Sequence, residues 1–192
     1  MRSSKILAFS GSGRRDSYNQ KLVNIAADGA KATGAEVTVI NLADFPLPLF
    51  DEDLERETGN PENAAKLKEL FIEHDGFLIA CPEYNSSITP LLKNTIDWVS
   101  RKVGDEVPLV AYKGKAACIM SASPGGLGGL RGLVHVRSIL SSIGVIVLPD
   151  QIAVSGAGSG FDENGQLKDE KKQAGIKALG ANLTGFLEKH VS

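Results

Sequence analysis

Residues 5–22 have the sequence KILAFSGSGRRDSYNQKL, and this segment is the strongest indication of the fold. Residues 6–9 form a short apolar run between polar residues, which is typical of a buried parallel strand. A loop of serine, glycine and arginine follows, and Ser17 is placed to cap the helix that the apolar spacing from Leu22 onward predicts. A strand, a small polar loop and a helix N-terminus together present free backbone N–H groups to an anion. We therefore predict a phosphate-binding loop, with an ordinary polar turn as the alternative.

The composition of this first loop (residues 10–19) limits the kind of phosphate that it can bind. No G-x-x-x-x-G-K-[ST] string follows the strand, and Asp16 stands where a dinucleotide fingerprint has its third glycine. The second predicted strand is followed by Asn41, where a dinucleotide-binding domain has an acidic residue for the ribose. The remaining hydroxyl and amide groups, with one or two arginines, suit a single terminal phosphate. They belong to Ser10, Ser12, Ser17 and Asn19.

The overall composition excludes several classes of partner. The chain has 192 residues, the length of one well-buried domain, and we treat residues 1–192 as a single domain. The net charge is −2, so the charge balance does not favour nucleic acid or an anionic membrane. Cys81 and Cys118 lie in apolar runs and are too few for a disulfide framework or a metal site. Because no apolar signal segment precedes the first strand, we expect a cytoplasmic protein.

The apolar pattern predicts five strands that alternate with five helices. The four strands after the first are residues 36–40, 76–81, 114–121 and 145–148. Asn60 and Thr89 each precede a proline and are expected to cap two of the helices. Residues 42–59 lack periodicity, and we expect an irregular loop that folds over another part of the molecule. Residues 156–165 are glycine-rich, and we expect them to be flexible.

The helix that begins at Pro90 has apolar residues on two faces. One face carries Leu92, Ile96 and Val99, and the other carries Leu91, Thr95 and Trp98. A helix with two apolar faces is usually buried on both sides. We therefore expect a contact with another subunit on the second face.

The alternation of strands and helices predicts an open parallel α/β sheet. In such sheets, ligands bind outside the carboxyl ends of the strands, where the strand order reverses. With the order 2-1-3-4-5 this point lies between the first and third strands. The loops at residues 10–19, 82–89 and 121–129 follow the first, third and fourth strands and would converge there. A ligand with one terminal phosphate and a flat apolar body fits this arrangement, and FMN is the obvious candidate.

Three motifs accompany these loops. They are SGRRDSYN at residues 12–19, PEYN at residues 82–85 and LKNTIDWVSR at residues 92–101. Together they resemble the motifs of the NADPH-dependent FMN reductase family, a flavodoxin-like group that includes bacterial quinone and chromate reductases. The first motif departs from the family pattern at Gly13 and Asp16. The resemblance runs from residue 5 to about residue 155 and implies a flavodoxin-like three-layer sandwich with a five-stranded parallel sheet of order 2-1-3-4-5.

The resemblance also implies the positions of the cofactor-binding residues. It places the FMN phosphate on Ser12, Arg14, Ser17 and Asn19. It lays the isoalloxazine ring along the backbone of Pro82, Glu83, Tyr84 and Asn85, with Ser123, Gly125 and Gly126 on the other side of the site. The best-known enzymes of the family are tetramers whose interface beside the flavin uses a tyrosine, an arginine and a glutamate, so the resemblance implies a homodimer or homotetramer. Tyr84 and Arg131 match the first two of these residues, and Gln151 stands at the third position.

The resemblance implies a ping-pong reaction. NADPH or NADH reduces the bound FMN, and the reduced flavin then reduces a quinone, with chromate or other oxidants as further acceptors. Because the cofactor carries this chemistry, we predict no catalytic side chain and no metal ligand. Glu83 is expected to orient its loop, and Asp97 to hold a helix or an interface contact, rather than to act as an acid–base pair.

Two other functional classes compete with this interpretation. One is an FMN-binding electron carrier or redox sensor without NAD(P)H turnover, although such carriers are usually strongly acidic and this chain is nearly neutral. The other is a hydrolase, which is disfavoured because the sequence has no G-x-S-x-G elbow and no histidine in the three loops.

Overall fold

The computed structural model describes residues 2–190, in which a parallel β-sheet lies between two layers of helices. The strands of this sheet are β1 (Lys5–Ser10), β2 (Glu36–Asn41), β3 (Gly76–Ala80), β6 (Ala116–Ala122) and β7 (Ile146–Val154). A separate hairpin consists of β4 (Glu83–Tyr84) and β5 (Ser87–Ile88). The helices are α1 (Tyr18–Ala32), α2 (Glu52–Thr58), α3 (Glu62–Glu73), α4 (Pro90–Ser100), α5 (Leu130–Ser142), α6 (Ala157–Gly160) and α7 (Glu170–His190), and Leu42–Asp44 forms one 3₁₀ turn.

The strand order confirms the predicted topology. The sheet runs β2-β1-β3-β6-β7 with every neighbouring pair parallel, which is the order 2-1-3-4-5 when the hairpin strands are left out. The central strands β3 and β6 are fully buried because helices cover both of their faces. The order reverses between β1 and β3, so the loops after these strands are the expected place for a ligand.

Each face of the sheet packs against its own set of helices. On one face, α1 and α7 bury apolar side chains such as Leu22, Ile25, Leu179 and Leu183. On the other face, α3, α4 and α5 bury Leu67, Leu92, Leu133 and Val136. The two apolar clusters lie on opposite sides of the strands, which gives the predicted three-layer sandwich.

Two of the three predicted helix caps are confirmed. Ser17 Oγ accepts a hydrogen bond from Gln20 N at 3.3 Å, and Thr89 Oγ1 accepts one from Leu92 N at 3.2 Å. The prediction for Asn60 is wrong, because Pro61 occupies the cap position itself, with extended backbone and no side-chain cap bond. The helix therefore begins at Glu62, one residue later than expected, and Asn60 lies too early to cap it.

Residues 42–59 are more ordered than predicted. Asp51 caps α2 by accepting hydrogen bonds from Asp53 N and Leu54 N, and the acidic first turn complements the helix dipole. Before this helix, residues 46–50 (PLPLF) form a segment without helix or strand that we call the strap. The prediction of a wholly irregular loop is wrong, whereas the expectation that this part folds over the molecule is confirmed by the strap.

The strap covers the second apolar face of α4. Trp98 Nε1 and Asn94 Nδ2 both donate to the carbonyl oxygen of Pro48, at 2.8 and 2.9 Å. Asn94 Oδ1 accepts from Phe50 N at 2.8 Å, and the Phe50 ring meets Trp98 edge-on with 5.0 Å between centroids. Trp98 is completely buried by its own chain. The expected subunit contact is therefore not needed to cover this face, because an internal segment covers it.

The end of the chain also departs from the prediction. β7 extends to Val154 rather than Leu148, because a register shift between Ala117 and Ile119 lets the strand continue past residues 148–150. Residues 156–165 form α6 and a hydrogen-bonded turn, which is local structure that the glycine-rich sequence did not predict. Over residues 2–190, none of the helices combines the length and the apolar character that crossing a membrane requires.

Candidate functional site

A cleft of about 330 Å³ opens at the carboxyl ends of β1, β3 and β6. It is lined by Ser12, Arg14, Ser17, Tyr18, Asn19, Pro82, Glu83, Tyr84, Ala122, Ser123 and Pro124. The structure thus brings together residues of all three predicted loops. Of the predicted site residues, Asn85, Gly125 and Gly126 do not line the cleft. A larger groove of about 480 Å³ lies between the beginning of β7 and the end of α7, away from these loops.

The first loop is shaped by hydrogen bonds between its serines and its backbone. Ser12 N donates to Ser10 Oγ at 3.2 Å, and Arg14 N donates to Ser12 Oγ at 3.3 Å. Ser17 is buried at the start of α1, where the first turn of the helix has N–H groups without intrahelical acceptors. The hydroxyl hydrogens of Ser12 and Ser17 and these N–H groups can all donate to an anion in the cleft.

Arg14 supplies the positive charge of the cleft. Its side chain is exposed, and Cζ lies 4.8 Å from the centroid of the Tyr18 ring. No carboxylate among residues 2–190 forms an ion pair with it. The guanidinium is therefore oriented by an aromatic ring and keeps its hydrogen-bond donors available for a ligand.

Asn19 holds two parts of the site together. Its Nδ2 donates to the carbonyl oxygen of Ala122 at 2.9 Å, and its Oδ1 accepts from Ala122 N at 2.9 Å. The side chain is buried and joins the start of α1 to the end of β6. One N–H of the amide remains for a ligand, so the main role of Asn19 in this structure is to position the loops.

The PEYN motif forms the β4–β5 hairpin. Asn85 and Ser86 have φ values of 50° and 67°, and two positive φ angles in a two-residue loop define the type I′ turn that such hairpins favour. Asparagine tolerates this conformation, which explains its place at the turn. Asn85 therefore lies outside the cleft lining, whereas Tyr84 stands at the cleft mouth with 57% of its surface exposed.

Glu83 lies in the cleft but is bonded to α5. Its carboxylate accepts from Arg131 at 3.0 Å and from Gly132 N at 2.9 Å. Burial acts to raise the pKa of Glu83, but the Gly132 N–H and the Arg131 guanidinium outweigh it and hold the pKa below its ordinary value. The carboxylate therefore stays ionised and fixes the hairpin on α5, as predicted. Asp97 pairs with Lys93 at 2.8 Å within α4, also as predicted.

The glycine-rich loop after β6 contains two kinds of glycine. Gly128 and Gly129 have φ values of 63° and 90°, and a Cβ on Gly128 would lie 2.7 Å from Ser155 N. These two positions require glycine for the backbone. Gly125 and Gly126 are exposed, and a Cβ on either would meet no close contact. The sequence analysis thus assigned Gly125 and Gly126 to the site, whereas the backbone conformation requires glycine at Gly128 and Gly129.

Three residues of the cleft escaped the sequence prediction: Tyr18, Ala122 and Pro124. Tyr18 stands between Ser17 and Asn19 in the first motif, so its position in the motif was the available signal. Two of the three predicted interface residues, Arg131 and Gln151, form side-chain hydrogen bonds within the chain. Arg131 bonds Glu83, and Gln151 Oε1 accepts from Arg137 at 3.0 and 3.3 Å. Among residues 2–190 no cluster of His, Cys, Asp and Glu is arranged to hold a metal ion.

The sheet order and the position of the cleft define a flavodoxin-like α/β protein. The chain belongs to the NADPH-dependent FMN reductase family, whose model matches residues 4–159. This result confirms the resemblance that the three motifs carry.

Individual relatives cover most of the chain. An NAD(P)H-dependent FMN reductase of Pseudomonas aeruginosa is 34% identical over 168 residues, which span 87% of this chain and 86% of that protein. An NAD(P)H:quinone oxidoreductase of Solanum tuberosum is 36% identical over 180 residues, with 91% of this chain and 88% of the relative covered. Among solved structures, the flavoenzyme NAD(P)H:(acceptor) oxidoreductase FerB of Paracoccus denitrificans superimposes with a TM-score of 0.81 at 26% identity, over 97% of this chain and 98% of FerB.

Proposed function

We propose that this chain is an FMN-dependent NAD(P)H oxidoreductase that reduces quinones. The observation that carries the proposal is the cleft at the point of strand reversal, where Arg14 lies beside the N-terminus of α1 without a carboxylate partner in residues 2–190. Membership of the FMN reductase family and the quinone oxidoreductases among the relatives support the same activity.

The donor groups of the cleft fit FMN. The hydroxyls of Ser12 and Ser17, the Arg14 guanidinium and the first N–H groups of α1 would hold the phosphate. The backbone of residues 82–84 and the segment at Ser123 and Pro124 would hold the ring, as two walls of one cleft. The exposed Gly125 and Gly126 leave room beside this wall for a flat group, since no side chain projects there.

Bound in this cleft, FMN would supply the hydride and electron transfer of a ping-pong reaction from NAD(P)H to quinones, with chromate or other oxidants as further acceptors. The protein would orient the cofactor and leave one side of it open at Tyr84. Glu83 is ionised and bonded to Arg131 and Gly132, so it does not supply a proton. We therefore assign no catalytic side chain.

An anaerobic absorption spectrum of the purified protein tests the proposal. We expect a yellow protein whose visible flavin band bleaches within the mixing time after NADPH or NADH is added. The faster donor is then the preferred one, and addition of a quinone should restore the band. A yellow protein that stays yellow with both donors would contradict the reductase and support an electron carrier or redox sensor. A protein that cannot take up FMN would contradict both.

We also propose that the reductase is a homodimer or homotetramer. Apolar side chains lie exposed around the α5 side of the cleft, and they are Tyr84, Leu127, Leu130 and Val134. A contiguous exposed apolar surface is usually covered by another protein. Light scattering after size-exclusion chromatography should give two or four times the mass of one chain, and Val134→Lys should lower it. A monomer at micromolar concentration would contradict this assignment.

We place this reductase in the cytoplasm. Cys81 and Cys118 are buried, unpaired thiols, and burial raises the pKa of both. Protonated thiols of this kind are typical of a reducing compartment. Fractionation of cells that express the protein at its native level would test this, and recovery in another compartment would contradict it.

A further inference from the structure

Tyr18 and Phe161 form an aromatic stack beneath Arg14. The rings of Tyr18 and Phe161 are nearly parallel, with 7° between their planes and 5.9 Å between centroids. The guanidinium carbon of Arg14 lies 4.8 Å from the Tyr18 centroid. Both rings are half-buried against the apolar cluster that α1 and α7 form. The stack therefore connects the cleft cation to the interior of the molecule.

Phe161 is itself held by backbone hydrogen bonds. It forms an antiparallel bridge with Leu167, a buried residue. Asp162 N donates to Gln166 O at 2.9 Å, and Lys168 N donates to Gly160 O at 3.0 Å. These bonds close a tight turn before α7 and hold the backbone at Phe161 in place. Phe161 lies two residues beyond residue 159, where the match to the family model ends.

We propose that Tyr18 and Phe161 are positioning residues that hold Arg14 in place for the terminal phosphate of FMN. This inference rests on the proposed function. An exposed arginine without a carboxylate partner samples many rotamers, and ordering it on binding costs free energy. The stack orders the guanidinium before the ligand arrives, so the segment before α7 contributes to cofactor affinity without touching the cofactor.

The competing explanation is that the stack only packs the start of α1. In that case, removing an aromatic ring would weaken the binding of every flavin in the same proportion. Riboflavin distinguishes the two explanations, because it has the ring and ribityl chain of FMN but no phosphate. A residue that acts through Arg14 and the phosphate affects FMN and leaves riboflavin unchanged.

The test measures the dissociation constants of FMN and riboflavin by flavin fluorescence, with the full chain after removal of its flavin. Tyr18→Leu and Phe161→Leu should each weaken FMN binding about two- to fivefold, the range that a cation–π contact at an exposed site supplies. Riboflavin binding should stay within experimental error in Phe161→Leu, because Phe161 does not line the cleft. Phe161→Tyr keeps the aromatic face and is the matched control, which should bind FMN like the wild type.

A double-mutant cycle makes the test independent of general damage to the site. In an Arg14→Ala background, Phe161→Leu should cause no further loss of FMN affinity, because the group that it positions is gone. An equal loss for FMN and riboflavin in Phe161→Leu, or a full Phe161→Leu effect in the Arg14→Ala background, would overturn the inference while leaving the proposed function intact. A wild-type chain that binds neither flavin would instead overturn the proposed function.

Discussion

Arg14 and Arg101 have similar aromatic neighbours and different charged neighbours. Arg14 lies 4.8 Å from the Tyr18 centroid, and Arg101 lies 5.2 Å from that of Phe50. Arg101 also donates to both carboxylate oxygens of Glu55 at 2.9 Å, and this bond raises the pKa of Arg101 above its ordinary value. Within residues 2–190 Arg14 has no such partner. An aromatic ring orients both guanidiniums, but in the part of the chain that the structure describes only that of Arg101 also forms an ion pair.

The same difference separates the two regions that contain these arginines. Around the strap, the amide of Asn94 and the indole N–H of Trp98 form hydrogen bonds with backbone groups of Pro48 and Phe50. In the first loop, the hydroxyls of Ser12 and Ser17 accept hydrogen bonds and still have hydrogens to donate. The motif at residues 92–101 therefore stabilises the fold, whereas the motif at residues 12–19 has hydroxyl donors that are available to a ligand.

The largest effect should follow from breaking the strap contact. Trp98→Ala removes a fully buried ring and should lower the free energy of unfolding by about 3–5 kcal/mol. Trp98→Phe keeps most of the ring and loses the bond to Pro48, so it should cost about 1 kcal/mol. Urea denaturation measures both values. Because the strap lies away from the cleft lining, the FMN affinity of folded Trp98→Phe should remain that of the wild type, and a large loss would mean that the two regions are coupled.

Removing the two arginines should separate affinity from stability. Arg14→Ala should weaken FMN binding by about 1.5–3 kcal/mol, which is typical of a charge-assisted hydrogen bond, and leave the unfolding free energy nearly unchanged. Arg101→Ala is the matched control and should do the reverse, since its partner Glu55 belongs to the protein. Fluorescence titration and urea denaturation measure the two quantities. Unchanged FMN affinity in Arg14→Ala would exclude Arg14 as the phosphate ligand.

The fold was predictable because its signals are local. Short apolar runs defined the strands, and Ser17 and Thr89 marked helix starts through their own side chains. The position of the cleft then followed from the strand order alone. Eight of the predicted site residues line it, because residues at strand ends must lie at one edge of a parallel sheet.

The errors arose where a contact joins residues far apart in the chain. The strap has no periodicity, and its partner Trp98 is 50 residues from Pro48, so the second face of α4 looked like a subunit contact. Asn19 stays a predicted phosphate ligand, and its bond to Ala122, which spans 103 residues, gives it a second role that the sequence did not indicate. Phe161 carries no local signal for its contact with Tyr18. The sequence alone does not show whether a polar side chain is available to a ligand, because its bonding partner within the protein can lie far away in the chain.

Glu83 belongs to both groups of this comparison: it lines the cleft, like Arg14, and its charge is paired within the protein, like that of Arg101. Its pKa is lowered in the folded chain, so the charged form stabilises folding at any pH above the unfolded value of about 4.3. This contribution is lost as the pH falls through the folded pKa. Glu83→Gln should therefore cost about 1–2 kcal/mol at pH 7, and the difference from wild type should shrink below about pH 4. Melting temperatures across this range measure it, and a constant difference would contradict the ionised state.

The smallest effect concerns Tyr112. Unlike the polar side chains around the strap, Tyr112 is buried without a hydrogen bond for its polar group in the described part of the chain. Its ring is buried and meets Phe71 edge-on at 5.4 Å between centroids, next to the layer that contains α4. Its hydroxyl has no hydrogen-bond partner among residues 2–190. Burial, with a smaller effect of the Asp97 charge, raises the pKa of Tyr112, so the hydroxyl keeps its proton and an unused donor.

Tyr112→Phe should therefore stabilise the protein by about 1 kcal/mol, because it removes a buried polar group that forms no bond and keeps the ring packing. Tyr112→Leu is the control, which should destabilise by opening a cavity beside Phe71 and Phe77. Urea denaturation of the three proteins gives the order. A loss of stability in Tyr112→Phe would contradict this prediction and show that the hydroxyl binds a buried water. The polar group of Tyr112 would then be hydrogen-bonded, in contrast to the available donors of the first loop.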